Sequence, residues 1–182
     1  MTTRDDDDVD LELLGRMMDA LPAEKPAPAL KDRLMKSIAA ESRFARFTAA
    51  VARIIDVAHD QAEKLVNAID DATRWESGLL PGTSLYHIDG GPAVAGAIVG
   101  FTRMEAGAVF PEHKHVGEET VLVIQGGFID SSGAVHRAGD EVHMAAGTTH
   151  SFTAAPGPDL VYLGVVLEGF DIGEAHFGPS EL

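Results

Sequence analysis

The chain has no cysteine among its 182 residues, which excludes disulfide staples and thiolate redox switching. It also has no apolar run approaching the ~20 residues that a membrane-spanning helix requires. The opening stretch, TTRDDDD, offers no basic region ahead of an apolar one, so nothing there reads as a secretory leader. A soluble cytoplasmic protein is the resulting expectation. Basic residues are scarce: 14 Lys and Arg stand against 29 Asp and Glu, for a net charge of −15. A surface of that sign repels nucleic acid and anionic membranes, so neither is an expected partner.

The deficit is uneven. Residues 75–182 hold three basic side chains (Arg103, Lys114 and Arg137) against fourteen acidic ones, whereas residues 30–55 hold six against Asp32 and Glu41. Glycine is missing from residues 30–72. Three parts follow. Residues 1–28 comprise an acidic amphipathic helix, with Val9, Leu13, Leu14, Met17, Met18 and Leu21 at helical spacing, and a proline-rich linker, LPAEKPAPAL. Residues 29–74 have apolar positions, among them Leu34, Ile38, Phe47, Val51, Ile55, Leu65 and Ile69, that predict two or three further helices. Their apolar faces need a cover, which could be the next domain, a partner protein or a second copy; a homodimer is the plainest expectation.

From Trp75 onward short β-type runs alternate with glycine turns: SLYHI, AIVGFTRM, AVFPEH, ETVLVIQGGF, GAVHRA, DEVHMA, HSFTAA and LVYLGVVL. That grammar predicts an all-β sandwich or barrel over 75–182. Val121, Leu122, Val123 and Ile124 are apolar on both parities, so this strand should be covered on both faces, as in a jelly roll.

Within the β region the chemistry concentrates at His113, His115, Glu119 and His150. Two residues apart on a strand, His113 and His115 leave the same face about 7 Å apart. Glu119 follows a turn at Gly117 and opens the next strand, where its carboxylate would face the histidines and that of Glu118 would face away. His150 follows a turn at Gly147, just ahead of the short strand SFTAA. Three imidazoles and one carboxylate suit zinc, iron, manganese, nickel or copper better than calcium or magnesium, which prefer oxygen shells. Four protein ligands closing a tetrahedron would favour zinc; four corners of an octahedron would leave two positions for water, dioxygen or a substrate. His143 is expected at the surface, and His59, His87, His136 and His176 lack metal spacing. Phe110, Val121, Val123, Phe152, Tyr162 and Met104 are candidates to line a pocket, with Tyr162 the one polar handle among them.

Residues 107–126 match the first cupin motif, G-x5-H-x-H-x3-E-x6-G, at Gly107, His113, His115, Glu119 and Gly126. Residues 139–150 resemble the second, G-x5-P-x-G-x2-H, at Gly139, Gly147 and His150, with Ala145 in place of the proline and Ala154 in place of a following asparagine. More broadly, the stretch from about Leu21 to Leu167 is similar to the cupin region of ChrR-type anti-sigma factors. The resemblance implies a mainly β cupin jelly roll with an N-terminal helical extension and a metal bound by His113, His115, Glu119 and His150. It also implies a sigma factor or other transcription protein as partner through the N-terminal helices. That family's sigma-binding domain holds zinc with histidines and paired cysteines, which a cysteine-free chain does not supply.

Two functions are therefore expected. One is a regulatory module whose barrel senses a small molecule or oxidant. The other is a metal-dependent oxygenase or oxidoreductase acting on a small diketone, thiol or phenol. Against the second, the sequence shows no base beyond the ligands and no polar cluster to orient a substrate.

Overall fold

A computed structural model describes Ala27, residues 29–31 and residues 43–179. The chain divides into two units, Met1–Ala40 and Glu41–Leu182, and the second carries everything below. The acidic helix and most of the proline-rich linker expected over residues 1–28 lie outside the described residues, as do residues 32–42 of the helical segment.

The helical segment begins with a 3-10 turn at Ala45–Phe47, which runs into α1, Thr48–Ile54. Its successor α2, His59–Asn67, is followed by 3-10 turns at Ala68–Asp70 and Ala72–Arg74. The apolar spacing shows why these helices hold: Phe44, Phe47, Val51, Ile55, Ala62, Val66 and Ile69 fall on one face and are all buried.

Two six-stranded antiparallel sheets follow. The first comprises β1 (Glu76–Ser77), β2 (Thr83–His87), β3 (Ala97–Met104), β5 (Glu119–Gln125), β8 (Glu141–Met144) and β10 (Leu160–Leu167), in the order β1-β2-β3-β10-β5-β8. The second comprises β4 (Val109–His115), β6 (Gly127–Asp130), β7 (Val135–Arg137), β9 (Thr149–Ala154), β11 (Phe170–Ile172) and β12 (Ala175–Phe177), in the order β12-β11-β4-β9-β6-β7. Successive strands alternate between sheets where the chain turns from β4 to β5 and from β8 to β9, as the jelly roll requires.

Parity along β5 divides the core. Val121 and Val123 point inward, with Met104, Leu160 and Tyr162, against Phe128, Phe152 and Ala154 of the other sheet. Leu122 and Ile124 point outward and pack with Phe101, Val161 and Leu163 against the helical residues Phe47, Val51, Ile55 and Val66. The strand is indeed covered on both faces, but its second cover is the pair of helices rather than the jelly roll. The helices thus have their apolar partner within the chain. At about 1.5–3 kcal/mol per fully buried large apolar side chain, this interface is a principal source of stability.

Polar contacts fix the helices on the sheet. Gly91 N–H donates to the Ile55 carbonyl at 2.7 Å, and Arg53 reaches Glu141 on β8 at 2.5 Å. Arg103 lies over the Trp75 ring, 4.2 Å from its centroid, while the Trp75 indole donates to the Ile69 carbonyl at 3.0 Å. No helix among the described residues is long and apolar enough to cross a membrane.

Candidate metal centre

His113 and His115 stand on β4 with Lys114 exposed between them, so the two imidazoles share the inner face, at 4% and 0% exposure. A bulge sets their aim. Phe110 opposes Phe152 and His113 opposes His150, so β4 spends one residue more than β9 between these pairs. Pro111 sits in the irregularity, where its missing N–H costs no ladder bond, and its carbonyl accepts from His113 Nδ1 at 2.9 Å. That contact fixes the tautomer and leaves a lone pair on His113 Nε2.

His150 is the second residue of β9, directly across from His113. The preceding turn needs its glycine: Gly147 has φ +80°, and its N–H donates to the His115 carbonyl at 2.8 Å. The turn closes without the motif's proline, because Thr148 N–H and Thr148 Oγ1 both donate to the Ala145 carbonyl, at 3.2 and 2.6 Å. Gly117, between β4 and β5, is required for a different reason. A Cβ there would sit 2.2 Å from the Leu167 carbonyl oxygen, so the chain could not pass so closely from one sheet to the other.

Glu119 opens β5 and brings its carboxylate from the opposite sheet, while Glu118 is exposed. Its Oε2 lies 3.3 Å from His115 Nε2, which in turn lies 3.1 Å from His113 Nε2. Ligand atoms of His113, His115, Glu119 and His150 all fall within 4.8 Å of one another. Two donors about 2.1 Å from a common ion are at most ~4.2 Å apart, so small side-chain rotations suffice to seat one. These four residues could hold a metal ion. His143 is indeed at the surface, paired with Glu141 at 3.1 Å.

Asp130 is the participant that the sequence reading missed. It ends β6, and its Oδ2 accepts from His150 Nδ1 at 2.7 Å, while its Oδ1 accepts from Ser132 N–H at 2.6 Å. Partial burial acts to raise its pKa, but the bonds from Ser132 and His150 prevail and bring it down to about 2. Asp130 is thus a carboxylate and His150 Nδ1 the donor. His150 Nε2 then carries a lone pair, buried and without a protein partner. The arrangement is the one by which carboxylates orient metal-binding histidines. The only advance signal was the motif-adjacent segment GGFID leading into the DSSG hairpin, where an aspartate reads first as a turn residue.

The electrostatics agree with a cation site. Burial, reinforced by the neighbouring imidazoles, pushes His115 down to about 4. Burial also brings His113 to about 4, against the opposing effect of the Pro111 hydrogen bond. Both are neutral, as ligands must be. Burial alone raises Glu119 to about 7: without a cation, its charge lacks compensation.

Beside the centre lies a cavity of ≈ 90 Å³, reached by His113 and Glu119. Of the expected lining residues, Phe110, Phe152 and Tyr162 border it, whereas Met104 and Val123 belong to the core between the sheets. Val121 borders a smaller void of ≈ 10 Å³ by His150. His87, which lacks metal spacing, also borders the ≈ 90 Å³ cavity. Burial holds the Tyr162 hydroxyl well above its ordinary pKa.

No curated protein matches the chain. Among solved structures, that of Rhodobacter sphaeroides SigE in complex with the anti-sigma ChrR is similar at 21% identity and TM-score 0.53, covering 85% of this chain and 75% of that one. An RmlC-like cupin protein from Ralstonia eutropha JMP134 is similar at 23% identity and TM-score 0.52, over 59% of this chain and 74% of the other. An acetylacetone dioxygenase from Acinetobacter johnsonii is similar at 16% identity and TM-score 0.52, over 60% and 83%. At such identities the likeness is one of fold. The ChrR cupin-like domain family matches residues 64–166, more than half of the sequence and inclusive of all four candidate ligands, and the chain belongs to that family.

Proposed function

We propose that this chain is a metal-binding regulatory cupin in which His113, His115, Glu119 and His150 hold one divalent transition ion, with zinc favoured over iron, manganese or nickel. The observation that carries the reading is His150: Asp130 pins its Nδ1 at 2.7 Å, leaving a buried Nε2 with no protein partner beside a second imidazole lone pair and a carboxylate. Convergent buried acceptors repel one another unless a cation satisfies them. Three histidines come from the second sheet and Glu119 from the first, so a bound ion would tie the sheets together. When bound, the ion supplies a Lewis-acidic position at which a small ligand's donor atom can be read.

As in the complex of SigE with the anti-sigma ChrR, the partner in this reading is a sigma factor or another transcription protein. It would be engaged through the segment preceding the cupin, and the protein would act as a cytoplasmic homodimer. Elemental analysis of protein purified without added metal, with His150→Ala alongside, tests the centre; full metal content in the variant would refute it. Co-purification of a sigma factor with the chain, lost on deleting residues 1–42, tests the partner. The deletion must stop there because Phe44, Phe47, Val51 and Ile55 belong to the core.

The cavity against His113 and Glu119 favours a second reading, a metal-dependent oxygenase of a small diketone, thiol or phenol. Oxygen uptake by iron-reconstituted protein separates the two: rapid consumption with such a compound supports catalysis, and zinc without turnover supports regulation.

A further inference from the structure

Gly164 lies in the middle of β10, in the otherwise apolar run LVYLGVVL, directly opposite Gly100 on β3. An interior strand glycine is weaker than alanine by about 0.5–1 kcal/mol, and it commonly marks a close approach of backbone or ligand. Backbone explains Gly100, where a Cβ would sit 2.9 Å from the Tyr86 carbonyl oxygen. It does not explain Gly164, where a Cβ would meet nothing nearer than the Tyr162 ring at 3.5 Å, an ordinary contact. What Gly164 leaves open is part of the ≈ 90 Å³ cavity that reaches His113 and Glu119.

The walls of that cavity define what fits. Leu85, Ile98 and Val166 line it from one sheet, and Phe110, Phe152 and Phe170 from the other. No lysine or arginine is among its described lining residues. Its polar groups are few beside the apolar ones: Thr83 Oγ1 donates to the Leu80 carbonyl at 2.6 Å, Tyr162 is hydrogen-bonded to Thr102, and the His87 side chain is exposed. A second charge or a row of hydroxyls buried there would go unpaired. At ≈ 90 Å³, against the roughly 10–15 Å³ that a cavity needs to hold one water, the space suits a small organic molecule.

We propose that the chamber over Gly164 binds a small monofunctional molecule, apolar except for one oxygen or sulfur donor directed at the ion, and that Gly164 sets the size limit. Polyols, dicarboxylates and phosphate esters are excluded. The donor end rests on the metal reading above; the apolar chamber rests on the cavity itself. Phenol is a suitable probe, with succinate and erythritol as polar probes of similar size.

In protein loaded with Co(II), and checked by elemental analysis, phenol is expected to bind saturably and to shift the visible Co(II) spectrum, while succinate and erythritol do not. Gly164→Val should keep its Co(II) content and lose phenol affinity at least tenfold. Gly164→Ala fits without a clash and should show a smaller loss, which keeps the test valid if valine unfolds the strand. Unchanged phenol binding in both variants, or succinate or erythritol binding as tightly as phenol, overturns the proposal while leaving the metal reading intact. Failure of the native chain to take up Co(II) overturns the metal reading instead. The phenol affinities of native and Gly164→Val protein, measured by calorimetry without metal, then decide the chamber by the same tenfold criterion.

Discussion

Replacing Glu119 by glutamine should have opposite effects on the metal-free and the metal-loaded protein. The carboxyl is raised from its ordinary 4.5 to about 7 by burial, so folding disfavours its charged form. Below pH 4.5 the group is protonated whether the chain is folded or not, and it costs nothing. As pH rises from 4.5 through 7 the unfolded chain ionises first, and folding stability is lost. At about 1.4 kcal/mol per tenfold change in proton affinity, the loss approaches about 3 kcal/mol at pH 8. Glutamine keeps the shape and never ionises. For a chain of this length 1 kcal/mol corresponds to about 2–4 °C, so chelator-treated Glu119→Gln should melt about 6–12 °C above the native chain at pH 8, and at the same temperature at pH 4. The titrations of His113 and His115 occur in both proteins and cancel in the comparison. With metal added the order should reverse, because the native chain keeps the anionic ligand and gains the binding free energy. Circular-dichroism melts of both proteins at the two pH values, with and without zinc, make the measurement. A metal-free variant that melts no higher at pH 8, or a difference independent of pH, would refute the account of Glu119 as a charge held for a cation.

Other substitutions test the neighbouring links. His113→Ala should lower bound metal, measured by elemental analysis, and remove the stabilisation that zinc confers on melting. Asp130→Asn and Asp130→Ala should weaken metal affinity about 10–100-fold in chelator competition, with the fold unchanged by circular dichroism; unaltered affinity would leave Asp130 a turn residue. Phe47→Ala removes a buried ring between the helices and the first sheet and should cost about 3–5 kcal/mol in urea unfolding. A cost below 1 kcal/mol would mean that the helices are loosely held. Gly117→Ala should destabilise the protein, since its Cβ would collide with the Leu167 carbonyl, and unfolding midpoints matching the native chain would contradict that close approach.

His113, His115 and Glu119 were legible because strand parity is a local rule, whereas His150 came from its place after the Gly147 turn and the resemblance to the second cupin motif. Once β4 is a strand, His113 and His115 must share a face, and Glu118 and Glu119 must part. The β region was legible for the same reason, from apolar runs set between glycine turns. What could not be read depends on pairing between distant segments. The bulge at Pro111 exists only relative to β9, and the bond from His150 to Asp130 spans twenty residues. Gly164 is silent until Gly100 and the facing sheet define a space over it. The helices pose the same problem at larger scale: their apolar face is plain in the sequence, but its partner, the outer face of β3, β5 and β10, is known only once the sheet is assembled.

That last pairing bears on how a change at the centre would travel. Glu119 and Leu122 share β5, the first reaching the histidines and the second the helical layer. A metal or ligand that draws Glu119 toward the second sheet pulls on the strand whose outer face carries α1 and α2. Close-packed side chains transmit such shifts rather than absorb them. The strand therefore offers a short mechanical route from the barrel interior to the helical segment, which is where a regulatory reading needs one. A catalytic reading needs no such route. Amide hydrogen exchange separates the two: zinc should slow exchange in α1 as well as in β4, β5 and β9, and protection confined to the three strands would remove the structural support for signalling.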